Sequence, residues 1–224
     1  MESLERQRGI GRERARIARD IHDDLGASLT RITMLSQSVR GELEHDPQAA
    51  AEVDQIYGTA RELTRAMDEI VWAVNPQHDT LDSLVTYLGR FAQNFLSAAG
   101  IRCRLDVPLH LPAWALTAEL RQNVFLAVKE ALHNVVKHAC ASEVRLSLEL
   151  QPDRFVLVIA DNGQGFSPRP GPALGSASAD GTRLAGGNGI SNMKKRLEEV
   201  GGSCEWITAP QEGTRVKLSV SVIK

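Results

Sequence analysis

The sequence predicts an α+β chain in two parts: an N-terminal two-helix hairpin that would dimerise into a four-helix bundle, followed by an α/β sandwich. Three observations carry this reading. Apolar residues recur every three or four positions from Ile21 to Leu43 and again from Val53 to Val74, the period of an amphipathic helix. After Asn75-Pro76 the pattern changes to shorter helical repeats interleaved with alternating apolar runs, the period of strands. At 224 residues and 42% hydrophobic content, the chain can supply the core that the second part needs.

The first helix is expected over residues 5–43. Its stripe is Ile21, Leu25, Leu29, Ile32, Leu35, Val39 and Leu43, and nothing stronger than Gly26 interrupts it. Gly41 and the His45-Asp46-Pro47 turn end it. A second helix follows with Val53, Ile56, Tyr57, Ala60, Leu63, Met67, Ile70, Val71 and Val74 on one face, until Asn75-Pro76 stops it. One hairpin cannot bury two such stripes, whereas two hairpins can. The expected assembly is therefore a homodimer.

The second part starts with a helix from Leu81 to Ala99, ended by Gly100, and a strand from Ile101 to Val107. Residues 108–112 connect to Thr117, which can cap a helix running to about Ala139. Val144, Leu146, Leu148 and Leu150 alternate with polar residues, and Phe155 to Ile159 is a nearly unbroken apolar run, so the two read as an antiparallel hairpin. Residues 167–187 are rich in Gly, Pro, Ala and Ser without periodicity, a mobile loop longer than compact domains ordinarily tolerate without a functional reason. Ile190 to Val200 returns to helical spacing and ends on Gly201-Gly202. Strands from Ser203 to Thr208 and from Thr214 to Ile223 close the chain. Helices on one mostly antiparallel sheet result, with the division expected at 1–76 and 77–224.

Composition excludes several function classes. Lys and Arg total 26 against 28 Asp and Glu, so overall charge offers no argument for nucleic acid or an acidic membrane face. The early arginines, from Arg6 to Arg19, are interleaved with acids and read as a solvated helical face. Cys103, Cys140 and Cys204 show no metal spacing, as expected of reduced thiols in a cytoplasmic protein. No apolar run approaches the ~20 residues that span a bilayer. Membrane attachment, if any, would come through an upstream segment missing from this sequence.

Four places carry chemistry. In IARDIHDDLGASLTRI, His22 lies one step off the apolar stripe beside Asp23 and Asp24, a solvated rim histidine or a reactive one. In KEALHNVVKHA, Glu130, Asn134 and His138 are spaced four apart and share a helix face, with His133 and Lys137 flanking. A carboxylate, an amide oxygen and a lysine suit hydrated magnesium on phosphates, although an ordinary polar face has the same composition. DNGQGF, Asp161 to Phe166, follows the apolar strand. Its carboxylate can accept from an exocyclic amine such as that of adenine, and Gly163 and Gly165 permit close backbone approach; a plain turn is the competing reading. GGNGI, Gly186 to Ile190, stands at a helix N-terminus where N–H groups can meet an anion, or else is a hinge. It is neither a P-loop nor a dinucleotide fingerprint.

In order and spacing, these segments resemble the GHKL ATPase superfamily: KEALHNVVKHA its N box, DNGQGF its first glycine box and GGNGISNMKKRL its second, with Gly213-Thr214 similar to a late Gly-Thr pair. With IARDIHDDLGASLTRI and DEIVWAVNP, the whole chain resembles the catalytic core of a bacterial two-component sensor histidine kinase, of the nitrate-sensor and membrane-fluidity-sensor subfamily. The resemblance implies a fold and a set of roles. His22 would be the phosphoacceptor and Asp23 its partner in proton handling, with Glu130 polarising a water or ordering the metal shell. Asn134 would hold Mg2+, with Lys137 and His138 beside the ATP phosphates. Asp161 would read adenine with support from Thr214, and Gly163, Gly165, Gly187 and Gly189 would line the nucleotide pocket under a lid at 167–187. The implied partners are a second copy and a response regulator receiver domain. One position departs from the subfamily. Where many members carry a glutamine thought to position water for dephosphorylating the regulator, this chain has Ala27, which cannot orient water, so weak phosphatase activity is expected. The alternative is a GHKL ATPase that switches conformation without phosphorylating a histidine.

Overall fold

The computed structural model describes residues 2–43, 46–166 and 187–222, which form two compact units, Met1–Asp79 and Thr80–Lys224. The expected loop at 167–187 lies outside the described residues except for Gly187.

In the first unit α1 (Glu2–Glu42) packs along α2 (Pro47–Val74). The Asp46 carboxylate accepts from the N–H groups of Gln48 and Ala49, each at 3.1 Å, and Pro47 occupies the first turn. That leaves fewer orphan donors at the start of α2, where such a cap contributes about 1 kcal/mol. Cross-helix contacts give the direction. Arg40 meets Asp54 at 2.6 Å, Gln37 donates to Tyr57 at 3.2 Å, and a side chain at Gly26 would touch Met67. One number falls as the other rises, so the helices are antiparallel. Ser36, Ala60, Met67, Trp72 and Ala73 are buried, while Leu25, Ile32, Met34, Leu35, Val39, Ile56, Leu63 and Ile70 are exposed. At the far end Asn75 has two tasks. Its N–H donates to Val71 O at 3.1 Å, closing α2, and its side-chain oxygen accepts from Gln77 N at 3.0 Å, opening a single 3-10 turn at Pro76–His78. The Trp72 ring stacks on His78 across this corner, centroids 6.0 Å apart.

The second unit contains α3 (Leu81–Ala98), β1 (Arg102–Asp106), α4 (Ala118–Asn134), β2 (Glu143–Leu150), β3 (Arg154–Asp161), α5 (Gly187–Glu199), β4 (Gly202–Thr208) and β5 (Thr214–Ser221). The strands form one sheet in the order β1-β2-β3-β5-β4, with only the β1–β2 pair parallel. Val144, Leu146 and Leu148 of β2 and Val216, Leu218 and Val220 of β5 are buried in alternation, so one face of the sheet carries the helices. Central β3 is buried from Phe155 through Ile159 without alternation. The helices fill the same core with Leu84, Leu88 and Leu96 of α3, Val124, Phe125 and Leu132 of α4, and Met193 and Leu197 of α5, all 2% exposed or less.

Two sequence expectations are corrected here. The helix capped by Thr117, whose Oγ1 accepts from Leu120 N at 3.1 Å, is α-helical only to Asn134. Residues Val135–Ala139 form a π turn, left through Cys140 at φ 51°. A sequence pattern cannot report that widening, because π and α turns use the same residue types. The last helix begins at Gly187 rather than at Ile190. Glycine's poor helix propensity argues for loop, yet in a first turn its N–H groups have no intrahelical partner to lose.

Candidate functional site

In the second unit the end of α4 faces the first turns of α5 across a cavity of about 420 Å³. Glu130, Asn134, Lys137 and His138 all line it, joined by Lys129 and His133 from the same side and by Asn192 and Arg196 from α5. Glu130 and Asn134 are half-buried, and Lys137 and His138 are exposed. The simple spacing of four survives only as far as Asn134. Beyond it the π turn carries one more residue per hydrogen-bonded ring, so Lys137 and His138 reach the cavity by a wider path than an α-helix would give. Such turns are frequent at functional sites. His133 packs its ring against Phe95, centroids 4.9 Å apart, which makes it part of the wall.

Gly189 meets this cluster from α5. A Cβ there would collide with the Glu130 carboxylate and lie 3.6 Å from the Asn134 amide nitrogen. The acid thus rests against the positive end of α5, where helix N–H groups favour an anion. With Lys129, Lys137 and Arg196 around it, the cavity is a predominantly cationic concavity holding two hard oxygen ligands. That donor set fits a magnesium ion bound mainly through phosphate and water oxygens. Among the described residues no three His, Cys, Asp or Glu side chains gather into a metal cage.

Asp161, Gly163 and Gly165 do not line that cavity. They form a second cluster at the end of β3, tied to the first by backbone. The Asp161 carboxylate accepts from Gly163 N at 2.9 Å. Gly163 abuts the Ala139 carbonyl so closely that no side chain fits, and Gln164 donates from its backbone to Ala139 O and from its side chain to His138 O, both at 2.8 Å. Gly165, at φ 57°, lies against the backbone of Ala209 and Gly213, where any Cβ would clash. Glycine is required at both positions by close approach, and at the second also by conformation.

Thr214 stands beside this loop with its hydroxyl 3.1 Å from that of Thr208. Thr208 also accepts from Phe166 N and donates to Gly213 O, each at 3.1 Å. A hydroxyl has one proton to give and two lone pairs, so Thr214 must be the donor between the two. Sequence reasoning passed over Thr208, which carries no motif signal. It also passed over Asn162, inside DNGQGF, whose side-chain oxygen accepts from Ser142 N at 3.0 Å and Glu143 N at 2.9 Å and so pins the loop to β2.

His22 belongs to the first unit. It is exposed on α1, as is Asp23, with its Nδ1 3.5 Å from Asp23 Oδ1 and its Nε2 3.5 Å from Asp68 Oδ1 on α2. Asp68 was not visible as a candidate, since only the hairpin brings it near. Ala27 is exposed on the same helix, and Gly187, in the first turn of α5, is described by its backbone alone.

Comparison with known proteins places both units. Residues 85–220 match the histidine kinase-like ATPase domain family, and residues 13–79 match the histidine kinase family. The chain belongs to the histidine kinases. Among curated relatives it is 27% identical over 217 residues to the sensor histidine kinase LiaS of Bacillus subtilis, covering 95% of this chain and 55% of that protein. It is 28% identical over 213 residues to the nitrate/nitrite sensor protein NarQ of Escherichia coli, covering 92% and 34%. This histidine kinase chain therefore spans between a third and just over half of those relatives' length. The fold is also that of the histidine kinase domain of the blue-light activated histidine kinase EL346 of Erythrobacter litoralis, with a TM-score of 0.51 at 16% identity over 88% of this chain and 94% of that one. An ATPase domain of this family implies ATP binding. Among the described residues no helix is long and apolar enough to cross a membrane.

Proposed function

We propose that this chain is a kinase core that phosphorylates its own His22 from Mg-ATP and passes the phosphoryl group to an aspartate of a response regulator receiver domain. The observation that carries the reading is the cavity where Glu130, Asn134 and Lys137 converge beside Gly189, in a chain that also presents an exposed histidine next to an aspartate. Residues 1–76 act in dimerisation and phosphotransfer, and residues 77–224 in catalysis, with residues 167–187 as lid.

Phosphoryl transfer needs positioning and charge neutralisation more than covalent help. Lys137, with His138 beside it, neutralises phosphate charge, and Gly187 and Gly189 offer backbone N–H groups at the start of α5. Asn134 would hold a magnesium ion and Glu130 would order its water shell; bound there, the ion would supply charge neutralisation on the phosphate oxygens. Asp161 accepts from the adenine amine, in a pocket kept narrow by Gly163 and Gly165 and braced by Thr214 through Thr208. An imidazole nitrogen of His22 attacks the terminal phosphorus, the bond to the bridging oxygen breaks, ADP leaves, and the surplus imidazole proton passes toward Asp23.

The exposed stripe of the hairpin makes the active form a homodimer on this reading. Incubation with ATP labelled at the γ-phosphate is expected to give acid-labile, alkali-stable label that His22→Gln abolishes. Label surviving that change would refute the assignment, and ATP turnover with no label at all would favour the switching ATPase. With Ala27 in place of the water-positioning glutamine, adding the chain to a phosphorylated receiver domain should leave the decay of its aspartyl phosphate nearly unchanged. A marked acceleration would contradict that reading of Ala27.

A further inference from the structure

We propose that Asp68, on the second helix of the hairpin, is a positioning residue that holds His22 in a resting tautomer and is withdrawn when the kinase acts. The proposal rests on the reading of His22 as phosphoacceptor. Two carboxylates flank the ring, Asp23 Oδ1 at 3.5 Å from Nδ1 and Asp68 Oδ1 at 3.5 Å from Nε2. A neutral imidazole has one N–H and one lone pair. Only one of the two acids can therefore face a donor, and the other faces a lone pair that repels it. Asp23 favours the proton on Nδ1, which leaves Nε2 free to attack. Asp68 favours the proton on Nε2, which leaves that nitrogen inert.

The two acids differ in what carries them. Asp23 is the next residue to His22 on α1, so no rigid movement of that helix changes its distance. Asp68 sits on α2, so a shift or rotation of one helix past the other breaks its contact alone. Little movement is needed, because 3.5 Å is already the outer edge of hydrogen-bond reach and helix shifts of about 1–2 Å are the common currency of switching proteins. The same carboxylate, while in place, also repels the phosphate oxygens that must approach Nε2. With Asp68 withdrawn, Nε2 forms the bond to phosphorus as the bond to the ADP oxygen breaks, and the Nδ1 proton passes to Asp23. With Asp68 engaged, the attacking lone pair is replaced by an N–H.

The test uses the full 224-residue chain, comparing wild type with Asp68→Ala and Asp68→Asn, two changes at an exposed position. Initial rates of acid-labile labelling are measured across ATP concentrations. In parallel, imidazole nitrogen shifts are recorded on protein labelled with nitrogen-15 histidine, His22 being assigned by its loss in His22→Gln. Asp68→Ala is expected to raise the maximal rate about two- to fivefold, the range set by exposed charge pairs, with KM for ATP unchanged. The His22 tautomer should move from Nε2–H toward Nδ1–H, and Asp68→Asn should fall between the two. A rate unchanged or lowered in both variants overturns the proposal. So does a rate gain with an unmoved tautomer, which would mean that the helices had merely loosened. Absence of label on wild-type His22 would instead sink the phosphoacceptor reading, a distinct outcome.

Discussion

Phe155, Leu132, Leu157 and Leu197 of the second unit are sealed to 1% exposure or less inside a sheet covered by its own helices, whereas Leu35 of the hairpin is 58% exposed and Leu63 53%. Both regions are built from the same residue types at equally regular spacing. The sheet has a second layer within the chain to bury its apolar side, whereas among the described residues the ridge of the hairpin stays exposed. Burial in the second unit is therefore a property of the chain, whereas in the proposed homodimer burial of the hairpin's ridge would depend on protein concentration, by mass action.

Three substitutions put that contrast to the test. The largest effect is expected from Leu35→Glu. In a two-fold assembly every change occurs twice, and each Leu withdrawn from a ridge contributes about 1.5–3 kcal/mol, so dimer dissociation should become easier by about 3–6 kcal/mol. Sedimentation should show monomers while the melting of the second unit stays where it was. A dimer that survives would place its interface away from this ridge. Next comes Phe155→Ala, which empties a fully buried site in the central strand and should cost the second unit about 3–5 kcal/mol. Its denaturant midpoint should fall independently of protein concentration, and a midpoint that tracked concentration would contradict the self-contained core. Smallest is Asp46→Ala, which removes the acceptor for Gln48 N and Ala49 N and should cost the hairpin about 1 kcal/mol. That loss should appear as a lowered midpoint in helix melting followed by circular dichroism, of similar size at every protein concentration.

Much of this was legible in the sequence, for identifiable reasons. The two hairpin stripes and the Asn75-Pro76 stop follow from period and cap chemistry, and Thr117 caps its helix as a threonine in that place should. The alternation in β2 was readable because one face of the sheet is covered. What could not be read came from contacts distant in sequence or from backbone geometry without a compositional mark. The π turn after Asn134 is of the second kind, since Val135–Ala139 is an ordinary helical string. Asp68 and Thr208 are of the first, meaningful only once a hairpin or a strand pair sets them beside His22 or Thr214. The three-residue error at the start of α5 shows the limit of propensity, because Gly187 and Gly189 begin a helix at the one place where glycine's cost is small.

The corner at Asn75 has a mechanical meaning. Its backbone is bound behind to Val71, its side chain ahead to Gln77, and Trp72 and His78 are stacked over it. No slack residue separates the end of α2 from the turn that follows. The end of α2 and the turn at Pro76–His78 are thereby keyed together at a braced corner, where a glycine-rich joint would have left a swivel.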